Sequence, residues 1–258
     1  MSGDIIGGLS ARIRAGGAVV AAWVGINDPA IPEQLARDGY DSVMLDMQHG
    51  AIDLAGAMRG IGAAALAGKP AIVRIPVGEF ATASRVIDAG AAAVIAPMIN
   101  SADDARRFAG FMKFPPLGQR SWGPRAALTL SGMIGPAYLH SANAITLAIA
   151  MIETREALDA LDEILATPGV DGVFVGPSDL SIALNHGAVV DPHGADVDAQ
   201  LTHVVARAKA HDKFASIFCF DGAQARAMIA RGYQLVSAST DQLLLRTAAR
   251  AELAAARQ

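Results

Sequence analysis

The chain has 258 residues, of which 52% are hydrophobic and 18% charged, and its formal net charge is −4. So much apolar content excludes intrinsic disorder, and without a basic stripe neither a nucleic acid nor an anionic membrane surface has electrostatic support, which leaves a small-molecule partner. Cys219 is the one cysteine, so no intrachain disulfide or cysteine-based zinc site can form, as suits a reducing cytoplasm.

Near the start, Arg12 and Arg14 followed by the apolar residues 18–26 imitate the charged and apolar parts of a secretory signal. The run is short and its pattern recurs along the chain, so it reads as the first element of the fold. No run reaches the roughly 18 apolar residues of a membrane helix. Continuously apolar segments then follow at 19–25, 42–46, 71–75, 92–97, 146–152, 172–175, 214–218 and 234–238. Segments apolar on successive residues are strands buried on both faces, the mark of a parallel sheet covered by helices.

Amphipathic, alanine-rich stretches separate them at 32–38, 54–66, 81–89, 102–111, 155–166, 197–211, 223–231 and 240–256, where helices are expected. Gly39, Gly68, Gly90, Gly169 and Gly232 follow five of these as left-handed helix terminators. Eight βα units predict an α/β fold, a single (β/α)8 TIM barrel spanning residues 1–258, with a doubly wound open sheet as the alternative. Two stretches break the rhythm. Residues 113–140, rich in proline, glycine and arginine, read as a loop serving as lid or interface, and 185–192 as a shorter excursion.

In such a barrel the active site lies at the carboxyl ends of the strands. Glu153 and Asp179 finish neighbouring strands, roughly 4.8 Å apart in a sheet, and two carboxylates there suit a hard cation such as Mg²⁺ or Mn²⁺. The plainer reading makes them helix-start acids. Gly176-Pro177-Ser178-Asp179 opens a helix whose first amides would bind a substrate carboxylate, unless Ser178 merely caps it. Arg74 ends a buried strand, either to steady an enolate oxygen or to pair with Asp46 or Glu153. His49, three residues past Asp46, is the best-placed histidine for general acid/base work.

Taken together, Leu45-Asp46-Met47-Gln48-His49-Gly50, Val73-Arg74-Ile75-Pro76, Ala96-Pro97-Met98, Phe114-Pro115-Pro116-Leu117-Gly118-Gln119-Arg120, Ile152-Glu153-Thr154-Arg155-Glu156-Ala157 and the run from Gly172 to Ser181 resemble the HpcH/HpaI family of metal-dependent pyruvate aldolases. The likeness runs from Trp23 to the final helix. It implies Glu153 and Asp179 as ligands of Mg²⁺, Mn²⁺ or Co²⁺, and Arg74 at the keto oxygen. It places the substrate carboxylate on Gly176, Pro177, Ser178 and Asp179 beside Trp23. His49 with Asp46 would be catalytic, and Asp88 would reach the site from a neighbouring subunit of a homo-hexamer whose last helix packs on a partner chain. Substrates would be pyruvate, hydroxypyruvate-like 2-oxoacids and aldehydes, with oxaloacetate decarboxylation as a side activity.

None of the four lysines (Lys69, Lys113, Lys209, Lys213) ends a strand, so a Schiff-base mechanism has no candidate nucleophile and metal Lewis acidity is expected instead. No glycine-rich phosphate cradle follows the last two strands. Two departures from the family pattern are Met151, where glutamine is found, and Ser239, where glycine is common. Rival functions are a CoA-thioester lyase of the citrate-lyase-like relatives and a non-catalytic ligand-binding barrel.

Overall fold

The computed structural model describes residues 4–257. In chain order the elements are α1 (Ile5–Arg14), β1 (Val19–Val24), α2 (Ala30–Arg37), β2 (Ser42–Asp46), α3 (Leu54–Leu66), β3 (Ala71–Arg74), α4 (Phe80–Asp88) and β4 (Ala93–Ala96). Then come α5 (Ala102–Met112), α6 (Arg125–Ser131), α7 (Gly135–Ile145), β5 (Leu147–Ile152), α8 (Arg155–Asp159), α9 (Leu161–Ala166) and β6 (Gly172–Val175). The chain closes with α10 (Pro177–Leu184), α11 (Ala195–Ala210), β7 (Phe214–Ile217), α12 (Gly222–Arg231), β8 (Leu235–Thr240) and α13 (Asp241–Ala256).

All eight strands pair in parallel, each with the next and β8 with β1, so the sheet closes as a barrel and not as a doubly wound sheet. Alternate strand residues serve two cores, because successive side chains point to opposite faces. Ala21 and Trp23 of β1, Ala93 and Ile95 of β4, and Ile149 and Met151 of β5 fill the barrel interior. Their neighbours Ala22, Val24, Val94, Ala96, Ala150 and Ile152 pack under the helices. Ile6, Leu9 and Ile13 of α1 join the interior cluster, so α1 helps close the barrel at its amino-terminal end.

Local sequence sets the helix ends. Asp53, Ser101, Asp221 and Thr240 each accept an N–H of the first turn that has no partner within the helix. The five expected terminators all have positive φ, from 72° at Gly68 to 113° at Gly232.

Three expectations need correction. Residues 113–140 are not loop throughout: Pro124 and the left-handed Gly132 bracket α6, and α7 begins at Gly135 with Pro136 in its first turn. The proline and glycine that suggested a loop are helix boundaries. The helix expected at 155–166 breaks at Ala160 (φ −91°, ψ 7°), which turns Leu161, Ile164 and Leu165 into the core. The segment 240–256 begins later than expected, because Ser239 and Thr240 still belong to β8.

A buried ion pair ties down the amino-terminal end of the barrel. Lys113, fully buried, donates from Nζ to the carbonyls of Asn143 (2.9 Å) and Thr146 (2.6 Å) and to Asp171 Oδ2 (2.6 Å). Burial lowers the pKa of this amine, against the pull of the Asp171 carboxylate. Lys113→Met leaves Asp171 without its cation, and a loss of about 3–5 kcal/mol is expected. Urea unfolding of the two proteins measures it, and a loss below about 1 kcal/mol would contradict the assignment.

Candidate active site

A cavity of about 220 Å³ opens at the carboxyl ends of the strands, lined by Trp23, His49, Arg74, Met151, Gly176, Pro177, Ser178, Asp179, Phe218 and Thr240. Seven of these are residues expected for the site. A larger cleft of about 690 Å³ lies at the opposite end, near Arg14, Lys209 and Lys213. Those cations follow from the helix carboxyl termini gathered there, which favour positive side chains.

At the base of the upper cavity, Arg74 makes a two-point pair with Asp46, Nε to Oδ1 at 2.9 Å and Nη2 to Oδ2 at 2.7 Å. The β2–β3 register sets Asp46 directly opposite Arg74, so the pair follows from strand pairing. Asp46 also accepts Trp23 Nε1 (3.2 Å) and the backbone N–H groups of Gln48 (3.0 Å) and His49 (3.3 Å). Burial pushes its pKa up, but the Arg74 guanidinium and the two amides outweigh that and hold it below the usual range. Asp46 is therefore a fixed anion. The guanidinium lies 4.7 Å from the Trp23 ring centroid, an arrangement that adds a cation–π contact.

His49 lies beside Asp46 at the end of β2. Its link to Asp46 runs through its backbone N–H, and its exposed ring faces the cavity mouth.

Glu153, which caps no helix because Thr154 does that for α8, points into the barrel. Its Oε1 accepts the N–H of Met98 at 2.9 Å, for which Met98 adopts φ 56°. Its Oε2 is buried with no hydrogen-bond partner among the described residues. Burial pushes this carboxyl up to about 7; the Met98 N–H opposes the shift, and the neighbouring Asp179 charge adds to it. Gly176 makes room for it, since a Cβ there would lie 2.6 Å from Glu153 Oε2 and 2.6 Å from Met151 Cε.

Gly176 is the N-cap of α10 and makes no side-chain cap bond; Pro177 supplies the first turn, and Ser178 does not cap. The first-turn amides of Ser178 and Asp179 have no carbonyl one turn back to bond, so they are free to bind an anion.

Asp88 is not brought to this cavity. It ends α4, at the amino-terminal side of the barrel, where its carboxylate pairs with Arg120 at 2.6 Å. Phe218, Thr240 and the Met98 amide were given no role from the sequence. Phe218 ends its apolar run, Met98 stands in the Ala96-Pro97-Met98 motif, and Thr240 follows Ser239 in the turn that departs from the family pattern.

The family model described as HpcH/HpaI aldolase/citrate lyase matches residues 20–248. A hydroxypyruvate/pyruvate aldolase of Rhizorhabdus wittichii is 40% identical over 92% of this chain and 94% of its own length. Among solved structures, a HpcH/HpaI aldolase/citrate lyase family protein from Burkholderia cenocepacia superimposes with a TM-score of 0.87 at 32% identity, covering 98% of this chain and 100% of that one. The citrate lyase beta subunit of M. tuberculosis, solved with oxaloacetate and magnesium, shares the fold at a TM-score of 0.57 and 20% identity, covering 88% of this chain and 93% of that one. With almost the whole chain matched and the barrel-top carboxylates in place, the protein belongs to the HpcH/HpaI aldolase/citrate lyase family.

Proposed function

We propose that this chain is a divalent-metal-dependent aldolase that joins the methyl carbon of pyruvate, or the corresponding carbon of hydroxypyruvate, to an aldehyde and cleaves the resulting 4-hydroxy-2-oxoacid. The observation that carries the reading is the unpartnered Glu153 Oε2 beside Asp179. A buried carboxylate oxygen with no donor, next to a second acid, fits a cation. Among the described residues no group of three His, Cys, Asp or Glu side chains converges, so most coordination positions would fall to water and substrate. That donor set suits Mg²⁺, Mn²⁺ or Co²⁺ held by Glu153 and Asp179.

The bound cation would supply Lewis acidity at the keto oxygen of the 2-oxoacid. The protein's residues do the rest. The amides of Ser178 and Asp179 hold the substrate carboxylate at the start of α10. Arg74, oriented by Asp46 and Trp23, keeps Nη1 outside that pair and turns it to the oxygen that gains charge as a C3 proton leaves. Trp23, Met151 and Phe218 shield C3 from water. His49, directly or through a water, takes the C3 proton, gives it to the aldehyde oxygen as the carbon–carbon bond forms, and runs both transfers in reverse on cleavage. Because the enolate is common to both, loss of carbon dioxide from oxaloacetate follows as a side reaction.

The apolar face of α13 supports packing of this helix on a partner chain, as in the homo-hexamer that the family resemblance implies. It exposes Leu243 (46%), Leu245 (62%) and Leu253 (48%) and buries only Asp241. Asp88, remote from its own cavity, would serve a neighbouring subunit's site. Among the described residues no helix is long and apolar enough to cross a membrane, and the buried free thiol of Cys219 suits a cytoplasmic setting.

Deuterium exchange into the pyruvate methyl group tests the reading. Wild type with metal should exchange, and EDTA or Glu153→Ala should slow it by at least about 100-fold; exchange indifferent to both would refute the reading.

Gly176→Ala should keep the circular-dichroism spectrum while weakening Mg²⁺ or Mn²⁺ binding by about 10–100-fold in calorimetry, because the new methyl displaces Glu153 Oε2.

The pH dependence has a definite sign. With Glu153 at about 7 in the metal-free fold against 4.5 ordinarily, the native state keeps a proton that the unfolded chain has lost between those values. Metal-free stability from this group is present below about 4.5 and falls as pH rises through about 7, by on the order of 3 kcal/mol. Cation binding needs the ionised form, so the metal-induced rise in Tm should grow over the same range. Scanning Tm from pH 5 to 8 in wild type and Glu153→Gln checks this; equal slopes in the two proteins would contradict it.

A further inference from the structure

The start of α13 is built into the rim of the cavity. Between Ala21 and Trp23 of β1, which pair with Ser237 and Thr240, β8 advances three residues against two, so it carries one extra residue. Ser239 lies in that bulge at φ 69°, a conformation rarely adopted by residues with a Cβ. The bulge re-aims the strand end, so that Thr240 lines the cavity while its Oγ1 accepts the N–H of Leu243 at 3.2 Å and caps α13.

Asp241 follows, 5% exposed. Its Oδ2 accepts the N–H groups of Gly25 (3.0 Å) and Ile26 (2.8 Å), and Oδ1 that of Gln242 (2.7 Å). Gly25 in turn accepts the N–H of Ala51 at 2.8 Å, from the loop that carries His49. There the backbones meet without intervening side chains: a Cβ on Gly50 would lie 2.9 Å from Gly25 Cα and 2.4 Å from the Asp46 carbonyl oxygen. An unbroken path of contacts thus runs from α13 through Asp241 and Gly25 to Gly50 and His49. The His49 ring, exposed and without a hydrogen bond of its own among the described residues, depends on its backbone for its place.

We infer that Asp241 is a positioning residue for the reaction, acting through the Gly25–Ala51 contact to hold the His49 loop over the cavity. This rests on the role given to His49 above. A carboxylate bonded only to backbone amides fits the task, because it fixes two loops at once without competing for Arg74 or the metal ligands.

The test is a double-mutant cycle on the cleavage of a 4-hydroxy-2-oxoacid, with Tm recorded for every variant. Asp241→Asn should lower kcat about tenfold with little change in KM, and should cost nothing further in a His49→Ala background. Gly50→Ala, which forces the two loops apart with Asp241 intact, should reproduce the loss and provides the same cycle if Asp241→Asn does not fold. A kcat within about twofold of wild type, or an equal cost with and without His49, would overturn the inference and leave the aldolase reading standing. A wild type that cleaves no such substrate overturns both.

Discussion

Asp46 accepts five hydrogen bonds at the base of the cavity, two from Arg74 and one each from Trp23 Nε1 and the amides of Gln48 and His49. Its charge is thereby shared among donors on β1, β3 and its own loop, and each takes its position from this carboxylate. Glu153 is the opposite case, a carboxylate of similar burial with one oxygen satisfied and the other left open. One acid is arranged to stay as it is, the other to acquire a ligand. The chemistry proposed for the site comes from that difference, which the net charge of the region alone would not reveal.

Much of this was legible in the sequence, for physical reasons. Strands buried on both faces must be apolar throughout, so all eight stood out. Residues at their carboxyl ends are polar only if something requires it, which drew attention to Asp46, Arg74, Glu153 and Asp179. The less legible features depend on backbone geometry or on distant neighbours. Met98 serves Glu153 through an amide that any residue but proline possesses. Thr240 reaches the cavity because of a bulge that no periodicity announces. The spacing of three residues placed His49 near Asp46 but did not show how they touch: the loop of two intervening residues folds the amides of Gln48 and His49 onto the carboxylate. α6 and α7 were hidden by the prolines and glycines that define their ends.

The two ends of the barrel divide the work. At the amino-terminal end, Lys113 and Asp171 lock α5, α7 and the start of β6 together. At the carboxyl end, charged groups are left with open valences or exposed rings, and rigidity comes from the strands beneath them. Asp88 stands at the first of these ends, so geometry within one chain assigns it to holding Arg120, and any part in catalysis has to be played across a subunit boundary.

Lys113 carries a further implication. Burial lowers its pKa, yet all three of its donors are spent on Asn143, Thr146 and Asp171, and it is not among the residues that line the cavity where 2-oxoacids would sit. This amine, held as the cation of Asp171, is thus committed to the opposite end of the barrel from the chamber that would admit a carbonyl compound. Borohydride added during turnover would find no covalent adduct to reduce, and the protein would keep its native mass.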